Sequence, residues 1–124
     1  MDYANSSKTV LLVFQPRCPA CSKTVPYWRE IVKASKRDNF QVLGISLGDR
    51  LESEAFLRSG GLNLETYTDI AQETKRVFML NLTPITIVIN KAGKVERIWP
   101  GAFSQETKPE VEEYFDISVL SDVS

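Results

Sequence analysis

The apolar positions of this chain change period from one segment to the next, and those changes mark its elements. Val10-Leu11-Leu12-Val13-Phe14 is a continuous apolar run closed by Gln15-Pro16, the pattern of a central strand covered on both faces. From Cys18 to about Lys36 the period becomes helical. Cys21, Val25, Trp28 and Val32 follow one another at 4-3-4 spacing and form one apolar stripe. Pro19 suits the first turn of that helix, where a missing N–H costs nothing, and Pro26 inside it predicts a kink. Phe40 to Leu47 reads as a second strand, ended by Gly48-Asp49-Arg50. A helix over Leu51 to Arg58 then stops at Ser59-Gly60-Gly61. Leu62 to Tyr67 fits either a loop or a short extended piece. Ile70, Thr74, Val77 and Phe78 mark a further helix. Ile85 to Asn90 and Val95 to Trp99 read as strands joined by Lys91-Ala92-Gly93-Lys94, a hairpin signal. A last helix is predicted near Ser104 to Phe115, with Val111, Tyr114 and Phe115 facing inward.

The order β-α-β-α-α-β-β-α predicts an α/β fold with a central mixed sheet and helices on both faces. The first two strands should be parallel with a right-handed crossover, and the last pair antiparallel. A length of 124 residues argues for a single domain over 1–124, with loose ends at 1–7 and 117–124, where patterning is weak. The hydrophobic share of 43% and charged share of 25% exclude disordered and collagen-like chains. With 15 Lys+Arg against 16 Asp+Glu, the net charge is −1, so no basic face is implied and nucleic acid is not an expected partner. No run approaches the ~18–20 apolar residues of a membrane span, and Met1 to Ser7 lacks the basic start and apolar stretch of a signal peptide. Asn5-Ser6-Ser7 matches a sequon, which chance explains.

Histidine is absent, which removes Ser-His-Asp chemistry, Cys-His proteolysis and His-ligated metal together. Chemistry then falls to Cys18 and Cys21, the only cysteines. A zinc site would need two more Cys or His ligands, so no metal is expected. A pair two residues apart closes too small a loop to stabilise the chain much as a staple. What distinguishes Cys18-Pro19-Ala20-Cys21 is its place, where a buried strand turns into a helix. Free N–H groups and the positive dipole end there favour thiolate over thiol, and Arg17 is a further candidate for tuning the pair. On a helix, the first sulfur of a CxxC is exposed and the second lies one turn inward, placed to attack a mixed disulfide. Two unpaired core cysteines are the alternative reading.

Leu11-Leu12-Val13-Phe14, Cys18-Pro19-Ala20-Cys21, Pro26, Thr83-Pro84, Ile89-Asn90-Lys91-Ala92-Gly93-Lys94-Val95 and Gly101 together resemble a thioredoxin-fold protein. The similarity is closer to the TlpA/ResA-type thiol–disulfide oxidoreductases, through the strand ending in Leu47-Gly48-Asp49. It covers about Lys8 to Phe115. The resemblance implies a thiol–disulfide oxidoreductase that reduces protein disulfides, with Cys18 as attacking nucleophile and Cys21 as resolving thiol. It also implies that Pro84 is a cis-proline against the cysteine pair, that the Thr83 backbone pairs with a substrate strand, and that Arg17, Pro19 and Ala20 tune the motif. No cofactor is implied. The implied partners are protein disulfide or dithiol substrates and an upstream thiol donor, for a monomer placed outside the cytoplasmic membrane. The chain departs from the family at three positions. Arg17 replaces the usual Trp before the first cysteine, and Leu12 and Thr24 occupy the places of the usual buried acids. Cys21 therefore lacks an evident base.

Two other classes are kept in view. A peroxidase of the related peroxiredoxin type wants Thr or Ser three residues before its cysteine, where Gln15 stands. A non-catalytic binding module would keep the fold and use the cis-proline groove, and the missing acids speak for it. Trp28 is read as core packing, Gly101 as either a turn or a close backbone approach, Glu110, Glu112 and Glu113 as a solvated face, and Lys33, Lys36 and Arg37 as complements to a helix C-terminus.

Overall fold

The computed structural model describes residues 8–68, 73, 76 and 83–119. Its strands are β1 (Thr9–Phe14), β2 (Gln41–Ser46), β3 (Glu65–Tyr67), β4 (Ile85–Ile89) and β5 (Val95–Pro100). Its helices are α1 (Pro19–Asp38), α2 (Arg50–Gly60) and α3 (Thr107–Phe115). The helix expected around Ile70, Thr74, Val77 and Phe78 lies outside the described residues, as do 1–7 and 120–124.

The five strands form one sheet in the order β3-β2-β1-β4-β5. β1 is parallel to β2 and antiparallel to β4, β2 is parallel to β3, and β4 and β5 form the antiparallel hairpin. This is the mixed α/β sheet that the sequence predicts, with the ambiguous stretch before Tyr67 resolved as a three-residue strand. β1 is central because it is apolar on both sides. Val10, Leu12 and Phe14 join the core beneath α1 and α3, whereas Val13 packs with Leu47, Ile85 and Ile87 on the opposite face. All three described helices lie against the first face, where Phe14 stacks on Phe56 of α2 at 4.7 Å.

α1 runs through Pro26 to Asp38 as one helix. Trp28 is fully buried, as core packing requires, and its indole N–H donates to the Thr86 hydroxyl on β4 at 3.0 Å. Trp28→Phe leaves that buried hydroxyl short of a partner, so chemical denaturation should show a loss of about 1–3 kcal/mol. A loss no larger than for an exposed substitution contradicts a structural role for this bond.

The residues read as ending the second strand also start the next helix. Asp49 caps α2 by accepting from Glu52 N–H at 2.8 Å, and Gly61 ends it in the left-handed region. Asn90 closes the hairpin by accepting from Ala92 and Lys94 N–H. The C-terminal side differs from expectation. Glu112 is half-buried and holds the chain beyond α3, its carbonyl accepting from Ile117 N–H at 2.9 Å and its carboxylate from Val119 N–H at 3.2 Å. Ile117 and Val119 pack against the core, so residues 117–119 are docked. Arg37 bonds the carbonyls of Phe115 and Asp116, joining the end of α1 to the end of α3.

Candidate redox site

The site forms where β1 stops. After Phe14 the chain turns through Gln15, Pro16 and Arg17, with Cys18 N–H donating to the Gln15 carbonyl at 3.2 Å. Cys18 then serves as the extended N-cap of α1, and its Sγ accepts from Cys21 N–H at 3.2 Å. One of the unsatisfied amides of the first helical turn thus points at the sulfur. Cys18 is half-buried, Cys21 is wholly buried, and both are free thiols. The motif predicts an exposed first sulfur and a buried second; Cys18 is the more accessible of the two but only partly exposed, and Cys21 is buried.

The Thr83-Pro84 peptide bond is cis, and Pro84 is buried. The sheet brings this segment to the cysteines across 65 positions of sequence. Cys18 S–H donates to the Thr83 carbonyl at 3.7 Å, and the Thr83 hydroxyl donates to Cys18 Sγ at 3.8 Å. Gly101 lies behind, its N–H donating to the Pro84 carbonyl at 2.6 Å. Its φ is +78° and a Cβ there would meet nothing, so glycine serves the turn rather than a close approach.

Burial pushes the Cys21 thiol up to about 12 from its ordinary 9.0, and the hydrogen bond to Cys18 adds to the rise. The Gln15 backbone and the Thr83 hydroxyl pull weakly the other way. Leu12 and Thr24 are both buried, so neither position supplies an acid; Thr24 Oγ1 donates to the Ala20 carbonyl at 3.0 Å. Pro19 is exposed and Ala20 half-buried in the first turn of α1. Arg17 is turned to Glu52 of α2, with which it forms an exposed ion pair. Among the described residues, no group of three or more His, Cys, Asp or Glu could share a metal ion.

Two neighbours escape a reading of local sequence. Glu52 neutralises Arg17 from 35 positions away. Gly48 touches Pro16 so closely that a Cβ would stand 2.6 Å from its Cδ and 2.8 Å from its Cγ. The proline ring has no flexible end to move aside. Gly48 is itself fixed, its N–H donating to Ser46 Oγ, which also bonds Ser53 Oγ at 2.6 Å. The only signal in the sequence is a glycine between a strand and a helix cap. Gly48→Ala is expected to cost about 1–3 kcal/mol by overpacking and to slow alkylation of Cys18 by displacing its turn. Adding Pro16→Ala should restore most of both. If Pro16→Ala restores neither, the contact is not what sets the turn.

Residues 1–98 match the family model described as the AhpC/TSA family. The chain belongs to that family. Among curated proteins it is similar to the thiol-disulfide oxidoreductase ResA of Geobacillus thermodenitrificans, 26% identical over 90 residues, covering 72% of this chain and 52% of the relative. ResA of Bacillus subtilis is 24% identical over 89 residues, covering 71% and 50%. The chain therefore spans about half the length of the curated relatives it matches. Among solved structures, StoA from Bacillus subtilis superposes with a TM-score of 0.64 at 21% identity, over 84% of this chain and 81% of that one. A secreted Mycobacterium tuberculosis disulfide oxidoreductase gives 0.68 at 19% identity, over 90% and 84%. At these identities the superpositions establish the thioredoxin-like fold of this AhpC/TSA member.

Proposed function

We propose that this chain is a thiol–disulfide oxidoreductase domain that reduces protein disulfides through Cys18 and Cys21. The carrying observation is one half-buried sulfur at a helix N-cap, with a free amide directed at it, next to a second, fully buried thiol. Cys18 thiolate attacks one sulfur of the substrate disulfide, and the other sulfur departs as a thiolate. Cys21 then loses its proton and attacks Cys18 Sγ, releasing the substrate's second sulfur. Two electrons pass to the substrate, and a Cys18–Cys21 disulfide remains until a thiol donor reduces it. In this reading the Thr83 backbone pairs with a substrate strand beside Pro84, and Arg17, Pro19 and Ala20 are the positions that tune the motif. The ResA resemblance supports the reducing direction and a location outside the cytoplasmic membrane, and the length of 124 residues supports reading 1–124 as a single domain, taken here as a monomer. No helix among the described residues is long and apolar enough to cross a membrane.

The buried Leu12 and Thr24 favour a second reading, a binding module that keeps the fold without turnover. Adding the fully reduced protein to excess insulin separates the two. The redox reading predicts free thiols on insulin and an equal amount of protein lighter by two hydrogens. Protein that stays a dithiol, with insulin intact, leaves the binding module.

A further inference from the structure

We propose that the open groove between α1 and α2 seats the polypeptide segment flanking the reactive cysteine of a disulfide-bearing protein, and selects an acidic segment. The inference rests on the redox role proposed above and adds the class of substrate. The groove has a volume of about 550 Å³ and begins at Pro16 and Arg17, immediately before Cys18. One wall is Ser22, Val25, Pro26 and Arg29 of α1; the other is Glu52, Phe56 and Ser59 of α2. Each set follows the spacing of a single helix face. Seven residues of helix rise about 10 Å, the length of roughly three residues of extended chain. A segment entering beside Cys18 therefore has room for three residues, with an apolar side chain on Val25, Pro26 and Phe56.

The charge of the rim decides what that segment carries. Arg17 is neutralised by Glu52. Arg29 has no carboxylate partner among the described residues; one of its terminal nitrogens donates to the Gly60 carbonyl at 2.8 Å, at the end of α2. That bond holds the guanidinium at the groove and leaves most of its five N–H donors for a ligand. An Asp or Glu side chain matches them, whereas a Lys or Arg there meets like charge.

Two short peptides test this, each with one internal disulfide and alike except for Glu or Lys beside the cysteines. The reduced protein should prefer the Glu peptide by about threefold or more in kcat/KM at low salt, the scale of one exposed charge pair. The preference should shrink as salt rises. Arg29→Gln should bring the ratio to about one, and Arg29→Glu should invert it. A ratio unchanged in Arg29→Glu overturns the proposal, and a ratio is insensitive to a general loss of activity. Binding of the Glu peptide to Cys18→Ser protein, read by fluorescence anisotropy, separates the groove from the chemistry. If the unsubstituted protein reduces neither peptide, the redox reading fails. The groove then stands if Arg29→Glu weakens that binding and falls if binding is equal.

Discussion

Cys18→Ser is expected to abolish disulfide exchange, whereas Cys21→Ser should stop it half-way. A nucleophile removed from its site commonly costs a thousandfold or more, and roughly that loss is predicted for Cys18→Ser in reduction of insulin. Cys21 is wholly buried behind Cys18, so its removal spares the first attack and removes the second. Cys21→Ser protein should therefore accumulate a mixed disulfide with substrate, visible as a mass adduct on Cys18. The two substitutions are equally conservative, and their different products report the division of labour. Adducts on Cys21 in a Cys18→Ser background, formed as fast as those on Cys18, contradict the assignment. Peroxide consumption with a sulfenic acid on Cys18 and no insulin reduction indicates a peroxidase instead.

The second attack should be the slow one and should depend steeply on pH. Only a thiolate attacks, and burial holds Cys21 up to about 12. The hydrogen bond to Cys18 changes once Cys18 is in a mixed disulfide, but the burial that dominates the shift remains. Below its pKa the thiolate fraction of Cys21 rises about tenfold per pH unit, so release of the mixed disulfide should rise nearly in proportion through neutral pH. The sign for stability follows from the same shift. The folded pKa lies above the ordinary 9.0, so the contribution of the protonated, buried Cys21 is complete below pH 9. It is lost as pH rises from there toward 12. The reduced protein should weaken over that window more than its Cys21→Ser variant does. A release rate flat from pH 6 to 9 points to a base that holds the proton of Cys21, contrary to this account.

Local chemistry made much of the fold legible. The unbroken apolar run of β1, the strand end at Gly48-Asp49-Arg50, the helix stop at Ser59-Gly60-Gly61 and the hairpin turn at Lys91-Ala92-Gly93-Lys94 each state their geometry within a few residues. The cysteine pair is legible for the same reason, since a CxxC at a strand-to-helix junction is local. What stayed hidden depends on distance along the chain. Arg17 reads as an aid to the neighbouring thiol until α2 brings Glu52 against it. Gly48 reads as punctuation until the sheet sets it on Pro16. Glu112 reads as one of three solvated acids until the chain doubles back and offers the N–H of Val119. β3 is short and mostly polar, so alternation could not announce it.

The pairing of Arg17 with Glu52 also bears on the direction of electron flow. An unpaired cation beside Cys18 would favour its thiolate and hence an oxidant; a neutralised one removes that push. Equilibration in thiol redox buffers of defined potential, with free thiols counted by alkylation and mass, shows whether Cys18 and Cys21 form a reversible couple and in which direction it runs. A reversible Cys18–Cys21 disulfide with a midpoint near or below about −270 mV is the predicted result. A midpoint near −120 mV contradicts the reducing direction, and a protein that forms no such disulfide in any buffer contradicts the redox role itself.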